Sequence, residues 1–384
     1  MISSFYYLAA YTAAAAAGFS ERDSAAIARA ARYTEDCAGL TAPAAGGGRE
    51  SRLSQLLELA VFHYLPGNAE DILRSVNPAF YEGPGAASAP LLPLVCRPDG
   101  RLYAAAAEYA CEGMASGGLS EEAALQRVGI VCHILAAAHL NRGFAGLACP
   151  AINSAGAVME AAAPPPGQNP RELLLRARTE PLEAVYAMKP AVPDPEAGST
   201  GCDSVKKLAD CPAGIFSYES AWAMPALVSC VNPIRCAEAY FGLKAVLARV
   251  RSRAAGLEPA PPQQDEESLL NAAVFFSGIA GGNQLSRRWP SFFRWLRRLP
   301  SYKPPGEETD ASYLRSFRYQ ALQTRERLWQ ENPFLLACED ILRAEKEAAP
   351  IADSLPQEGG AENSAEAGPA LPAPADPRPA LPGR

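Results

Sequence analysis

The residues best suited to metal chemistry in this sequence are its histidines and one pair of adjacent acids. The chain has three histidines, and His63 and His133 both lie in apolar stretches with a helical pattern. Glu35 and Asp36 end another such stretch, in the sequence ARYTEDC. Two imidazoles with one or two carboxylates can hold a divalent ion and leave a position open for water, as in hydrolytic metal centres. A lone histidine is more often an ordinary buried side chain, so both interpretations stay open.

The stretch Val128–Gly146 is predicted to be a buried helix that runs into a glycine-bounded turn. Within it His133, Ala137 and Asn141 have i, i+4, i+8 spacing, which places them along one stripe of the helix. A metal-binding helix would carry a ligand at each of these places. Alanine offers no ligand atom, and the neutral amide of asparagine is a poor ligand for zinc or iron. The remaining histidine, His139, lies off the stripe.

These segments resemble an uncharacterised bacterial family of unknown function. Its His/Asp pattern is similar to that of helical metal-dependent hydrolases of the His-Asp (HD) type. The family motifs are Asp-Phe-His-Tyr-Tyr, Ser-Gln-Tyr-x-Asp-Asp, Phe-His-Phe-Leu-Pro and His-Thr-Tyr-Ala-Asp-Thr-Trp-Ser-His-Gln-Gly-Phe-Ser-Gly. The corresponding segments here are residues 4–7, 31–36, 62–66 and 133–146, so the resemblance covers about residues 1–150.

The resemblance implies a metal site that is degenerate in this chain. Four acceptable ligands remain: Glu35, Asp36, His63 and His133. Four other places differ from the family pattern or cannot supply a good ligand: Ser4, Tyr6, Ala137 and Asn141. His139 falls on a tryptophan of the pattern and is not a replacement. The implied cofactor is therefore none, or a weakly bound divalent metal ion.

Two other groups of residues could do chemistry. Cys202, Cys211, Cys230 and Cys236 could be imagined as a zinc site, but no Cys-x-x-Cys pair supports it. The segment Arg287–Arg298, RRWPSFFRWLRR, could bind phosphates, a membrane surface or a protein partner, or could be a short amphipathic helix with solvated arginines. We favour the amphipathic helix. No Gly-x-Ser-x-Gly elbow is present in the sequence, which argues against a serine hydrolase.

The pattern of apolar residues predicts an all-α fold, with no clear β-alternation. We expect one helical domain over residues 1–348, in which residues 1–160 carry the motifs and 161–170 form a loop or linker. Residues 349–384 are rich in Pro, Ala and Gly and nearly lack large apolar side chains. Such a segment cannot bury enough surface to offset its ordering entropy, so we predict a disordered tail.

Composition limits the class of partner and the compartment. The net charge of −7 argues against a general nucleic-acid binder. The apolar N-terminal stretch has no basic residue before Arg22 and is rich in alanine, which predicts neither a signal peptide nor a membrane span. We expect a cytoplasmic protein whose partner is unknown, with Arg287–Arg298 or the tail as a possible protein-binding surface.

Two functions from different classes follow from these observations. The sequence favours a non-catalytic or ligand-binding relative of a metal-dependent hydrolase family, because the motif segments are kept while some of their ligand positions hold residues that bind metals poorly. The alternative is an active metal-dependent (phospho)hydrolase with a reduced ligand set.

Overall fold

A computed structural model provides the structure of the protein. All of the described residues belong to one compact unit, Met1–Asp340. The predicted disordered tail, residues 349–384, lies outside the described residues. The described residues are 3–36, 61–83, 86–115, 117–146, 150–153, 155–162, 167–191, 206–209, 211–257, 265–279, 282–294 and 311–332.

Helices make up most of the described part of the chain. The longer helices are α1 (Ser3–Ala16), α2 (Glu21–Asp36), α5 (Arg101–Ala115), α6 (Glu121–Leu140), α11 (Asn232–Ala254), α12 (Glu266–Ser277), α13 (Gly282–Phe292) and α14 (Ala311–Gln330). Shorter helices are α3 (Ala69–Leu73), α4 (Ala79–Glu82), α7 (Pro150–Asn153), α8 (Pro170–Arg176), α9 (Leu182–Val185) and α10 (Lys206–Ala209), with a 3₁₀ helix at Ala86–Leu94.

Helix α6 is the central element of the bundle. Its start follows from the sequence, because the hydroxyl oxygen of Ser120 accepts a hydrogen bond from the Ala123 amide and caps the helix. It packs against α2, α5, α11 and α14. By length and composition α6 could cross a membrane, but 89% of its most apolar window is buried inside the protein. An apolar helix that is covered on all sides by other helices is a core element.

The crossing of α2 and α6 is unusually close. A Cβ atom added at Gly129 of α6 would lie 2.3 Å from the Ile27 carbonyl oxygen and 2.5 Å from the Ala30 Cβ. Only glycine on one helix and alanines on the other allow this approach. The close crossing brings His133, one turn after Gly129, alongside Ala31 of α2.

The prediction of an all-α fold is right for most of the chain but incomplete, because the structure also has a four-stranded antiparallel sheet. Its strands are β1 (Ala155–Ala161), β2 (Met188–Pro190), β3 (Ile215–Ser220) and β4 (Leu227–Val231), in the order β2-β1-β3-β4. In its register Met159 lies opposite Pro190, and Phe216 lies opposite Cys230. The strands are short, and β1 is rich in Ala and Gly, so non-local pairing decides their conformation rather than local propensity.

Two sequence signals that are typical of a helix start do not act as one here. The pair Asn232-Pro233 is typical of an N-cap followed by proline at the first helical position, but Asn232 is itself the first residue of α11. Its side-chain amide donates to the carbonyls of Leu208, Ala209 and Cys211. Pro290 is a residue type typical of a first helical turn but lies inside α13, which begins at Gly282. In both cases contacts formed by the folded chain override a start signal that depends only on neighbouring residues.

Candidate metal centre

Three of the predicted ligands meet at one point. His133 Nε2 lies 3.2 Å from His63 Nδ1, and Glu35 Oε2 lies 3.6 Å from His63 Nδ1 and 3.8 Å from His133 Nε2. This is the only group of three or more His, Cys, Asp or Glu ligand atoms found close enough to share a metal ion in the described part of the chain. The fold therefore brings together two imidazoles and one carboxylate from the four candidate ligands.

The three distances fit a single metal ion. A triangle with sides of 3.2, 3.6 and 3.8 Å has a point about 2.1 Å from all three corners, and zinc bonds to histidine nitrogen and carboxylate oxygen are about 2.0–2.2 Å long. Two imidazole rings aimed at that point would have centroids about 5 Å apart, and the observed separation is 5.0 Å. The observed separation of the rings is therefore compatible with one ion bound to both nitrogens.

The separations of the ligand atoms favour one coordination geometry. Neighbouring ligands of an ion with bonds of about 2.1 Å are about 3.4 Å apart in a tetrahedral site and about 3.0 Å apart in an octahedral site. The observed separations of 3.2, 3.6 and 3.8 Å are nearer the tetrahedral value. Three protein ligands in a tetrahedral site leave the fourth position open. The donor set of two nitrogens and one oxygen suits zinc.

Three separate parts of the chain supply these ligands. Glu35 lies in the last turn of α2, His133 in the middle of α6, and His63 directly after the helical residues Val61 and Phe62. The close crossing at Gly129 sets the distance between α2 and α6. The side chain of Asn141 then donates a 2.7 Å hydrogen bond to the backbone carbonyl of His63, which ties the third segment to the end of α6.

Burial prepares His133 to act as a ligand. Its side chain is completely buried. Burial lowers the pKa of His133 well below 6.5, and the neighbouring His63 lowers it further, while the backbone at Ala31 opposes part of this effect. The ring is therefore neutral at neutral pH, which is the protonation state that binds a metal. When Nε2 coordinates a metal ion, the proton of the neutral ring lies on Nδ1. This Nδ1 atom is buried on the side of the ring that faces α2, and it has no well-formed hydrogen bond there.

Comparison with known protein families gives one match that covers most of the chain. Residues 1–334 match the model described as "Family of unknown function (DUF6765)". The chain belongs to DUF6765. This confirms the predicted membership of an uncharacterised family, and the match extends from the motif segments through α14. No curated protein matches this DUF6765 chain, and no solved structure matches it.

The fourth predicted ligand does not join the cluster in this DUF6765 protein. Asp36 forms an ion pair with Arg32, with Asp36 Oδ1 2.9 Å from Arg32 Nη2. The adjacent Glu35 reaches the two histidines instead. Neighbouring residues on a helix point about 100° apart, so only one of two consecutive acids can face the same point. The sequence motif alone does not show which one.

The four positions without a good ligand have different surroundings. The Tyr6 ring packs on the His133 ring, with centroids 4.2 Å apart and planes inclined by 43°. Ala137 is fully buried, one turn after His133. Asn141 holds the His63 backbone, a positioning role that the ligand pattern did not predict. Ser4 is partly buried at the start of α1.

The other candidate residues lie elsewhere. His139 Nε2 lies 3.4 Å from the Tyr103 hydroxyl, and its Nδ1 lies 3.9 Å from Glu238. Cys202 is outside the described residues. Burial raises the pKa values of the Cys230 and Cys236 thiols, which disfavours the thiolate form that binds zinc.

The arginine-rich segment Arg287–Arg298 is only partly described. Trp289 and Phe293 are buried, while Arg287 and Arg294 are exposed. This agrees with an amphipathic helix in the described portion. Residues 295–298 lie outside the described residues.

Proposed function

We propose that this protein binds one divalent metal ion of zinc type through Glu35, His63 and His133. The observation that carries the proposal is the convergence of two imidazole nitrogens and one carboxylate oxygen, one from each of three separate segments, within 3.2–3.8 Å of one another. These separations allow all three atoms to bond one ion at about 2.1 Å. The neutral state of His133 and the fixed backbone of His63 support the same conclusion.

Metal-dependent hydrolysis is the activity that this site supports best. A zinc ion held by three protein ligands supplies a Lewis acid and activates water near neutral pH. The His133 side chain is inaccessible, whereas His63 is 19% and Glu35 is 33% exposed, so a substrate would approach from the side of these two residues. The similarity to hydrolases of the HD type belongs to this proposal and rests on the motif pattern alone.

A non-catalytic, ligand-binding role is the second candidate. Tyr6 covers one side of His133, and Ala137 and Asn141 supply no strong ligand along the helical stripe. Both observations favour a site that has kept a metal ion or a small ligand without the full set of groups for turnover. The two candidates differ in turnover, and only the first requires it.

The decisive experiment measures metal content per chain by mass spectrometry on full-length protein purified without chelator. We expect close to one zinc per wild-type chain and a loss in the His63→Ala/His133→Ala double variant. Glu35→Gln and Asp36→Asn form a matched pair, because each removes one carboxylate charge from neighbouring positions. Only Glu35→Gln should weaken zinc binding. Equal loss in both variants, or wild-type protein without metal after incubation with zinc, would contradict the proposed site.

A screen of phosphoester and other ester substrates on zinc-loaded protein separates the two candidates. Turnover that is abolished by Glu35→Gln and retained by Asp36→Asn supports hydrolysis. Tight zinc binding without turnover of any ester class supports the non-catalytic role.

A cytoplasmic location also stays a proposal. It is supported by Cys111, Cys132, Cys230 and Cys236, which are free thiols, as expected in a reducing compartment. Binding of a protein partner through Arg287–Arg298 or the tail is a proposal as well, supported by the exposed arginines Arg287 and Arg294.

A further inference from the structure

The turn that ends α6 lies next to the segment that follows the 3₁₀ helix. The Gly143 amide donates to the Cys96 carbonyl at 2.9 Å, and the Cys96 amide donates to the Phe144 carbonyl at 2.7 Å. Gly143 has a φ of 98°, a conformation that glycine adopts without strain. This pairing places Arg142, which precedes Gly143, beside Arg97, which follows Cys96.

A third arginine reaches the same place from the first turn of α11. Arg235 is 8% exposed, and its Nη1 donates to the Leu140 carbonyl at 3.4 Å, two residues before Arg142. We call Arg97, Arg142 and Arg235 the arginine cluster. Burial lowers the pKa of Arg142, and the like charges of Arg235 and Arg97 lower it further, while Glu238 and Asp99 act in the opposite direction.

Two carboxylates lie near the three arginines. Asp99 pairs with Arg97 of the cluster, with Asp99 Oδ2 2.7 Å from Arg97 Nη2, and Glu238 lies 3.9 Å from His139 Nδ1. Three guanidinium groups therefore face two carboxylates, and an excess of positive charge remains. Arg235 uses one donor on the C-terminal end of α6, where the helix dipole is negative.

Two guanidinium groups keep unused donors. Arg97 Nε is buried and has no hydrogen-bond partner. Arg142 is exposed and has no hydrogen bond or ion pair to any residue that the structure describes. A partly desolvated group of like charges with free donors is unfavourable by itself and becomes favourable when an anion binds.

We propose that the arginine cluster is a binding site for a phosphate group, separate from the metal centre and independent of the function proposed for it. Guanidinium groups present planar pairs of N–H donors that match the oxygens of phosphate, and Arg142 is open to solvent on one side. The phosphate oxygens would accept from Arg142, with the positive charge of the partly exposed Arg97 beside it. Either free phosphate or the phosphate of an organic ester has the required chemistry.

The test is calorimetric titration of the full-length chain with inorganic phosphate and, separately, with phenyl phosphate. Excess EDTA removes any metal, so that phosphate cannot bind through the metal centre. We expect wild-type protein to bind at least one of the two ligands with a Kd of about 1 mM or tighter. Tighter binding of phenyl phosphate identifies an ester site, and tighter binding of inorganic phosphate identifies a site for the free ion.

Variants of Arg142 decide whether the cluster is responsible. Arg142→Gln should weaken binding at least about tenfold, and Arg142→Lys, which keeps the charge but loses the planar pair of donors, should be intermediate. Arg315→Gln, which removes an exposed arginine on α14, should leave binding unchanged. Circular dichroism verifies that each variant is folded. No binding of either ligand by wild-type protein, or equal affinities in Arg142→Gln and wild type, would overturn the proposal.

Discussion

Replacing Gly129 by alanine should disrupt the metal centre through the spacing of two helices. The new Cβ would lie 2.3 Å from the Ile27 carbonyl oxygen, whereas ordinary van der Waals contacts begin at 3.4 Å. Helix α2 would have to move away from α6 by about 1 Å to relieve this contact. Glu35 lies on α2 and His133 on α6, so the 3.8 Å distance between their ligand atoms would grow.

Gly113 offers a matched control on α5. A Cβ there would lie 2.8 Å from the Arg127 Cδ, a side-chain atom, whereas at Gly129 it meets the backbone of another helix. Arg127 also donates to Gln320, so Gly113→Ala should show only part of the intrinsic gain of about 1 kcal/mol for alanine over glycine in a helix. Gly129→Ala makes the same chemical change but adds an overpacking cost of about 1–3 kcal/mol. The difference between the two variants isolates the cost of the helix crossing.

Two measurements test this prediction. Urea unfolding in EDTA compares the free energies of unfolding, and Gly129→Ala should be less stable than Gly113→Ala by about 1–3 kcal/mol. Competition with a chromophoric chelator compares zinc affinities, and Gly129→Ala should bind zinc about 10–100-fold more weakly than wild type. Equal stabilities of the two variants would refute the packing argument. A destabilised Gly129→Ala that binds zinc normally would show that the crossing does not set the ligand distances.

Three further predictions concern the surroundings of the site. As the pH falls below 6.5, His133 takes up a proton in the unfolded chain, whereas its lowered pKa keeps it neutral in the folded state. Metal-free protein should thus lose about 1 kcal/mol of stability between pH 6.5 and 5.5 in urea unfolding, and His133→Gln should lose less over the same interval. Asn141→Ala removes the hydrogen bond to the His63 carbonyl and should weaken zinc binding about 10-fold in the chelator assay, and unchanged affinity would contradict a positioning role of Asn141. Tyr6→Ala removes a ring that packs on His133 and should lower the free energy of unfolding by about 3–5 kcal/mol, and a loss below about 1 kcal/mol would contradict this packing role.

Parts of the structure that depend on local signals could be predicted from the sequence. Ser120 precedes two acidic residues, a pattern typical of a helix start, and it caps α6. The apolar sequence of α6 predicts a buried helix, and α6 is the buried central helix. The strands could not be predicted in this way. β2 has three residues, one of which is Pro190, and it exists because β1 lies beside it.

The candidate site also has parts that the sequence predicts and parts that depend on the folded chain. Residue types and the family resemblance predict Glu35, His63 and His133, and the structure places them together. Sequence could not distinguish Glu35 from Asp36, because the choice depends on the rotation of α2 about its axis. It also could not show the role of Asn141, since the hydrogen bond to His63 joins residues 78 positions apart.

The separation of the three ligands along the chain has a consequence for folding in the cell. His63 and His133 are 70 residues apart, so an ion shared by them would act as a reversible crosslink that exists only in the native chain. At a free zinc concentration 100-fold above the dissociation constant, this crosslink would add about 2.7 kcal/mol to stability. The fraction of unfolded chains, and with it their exposure to proteases, would then follow the supply of zinc. The abundance of the protein would report metal availability even in a cell where no substrate is present.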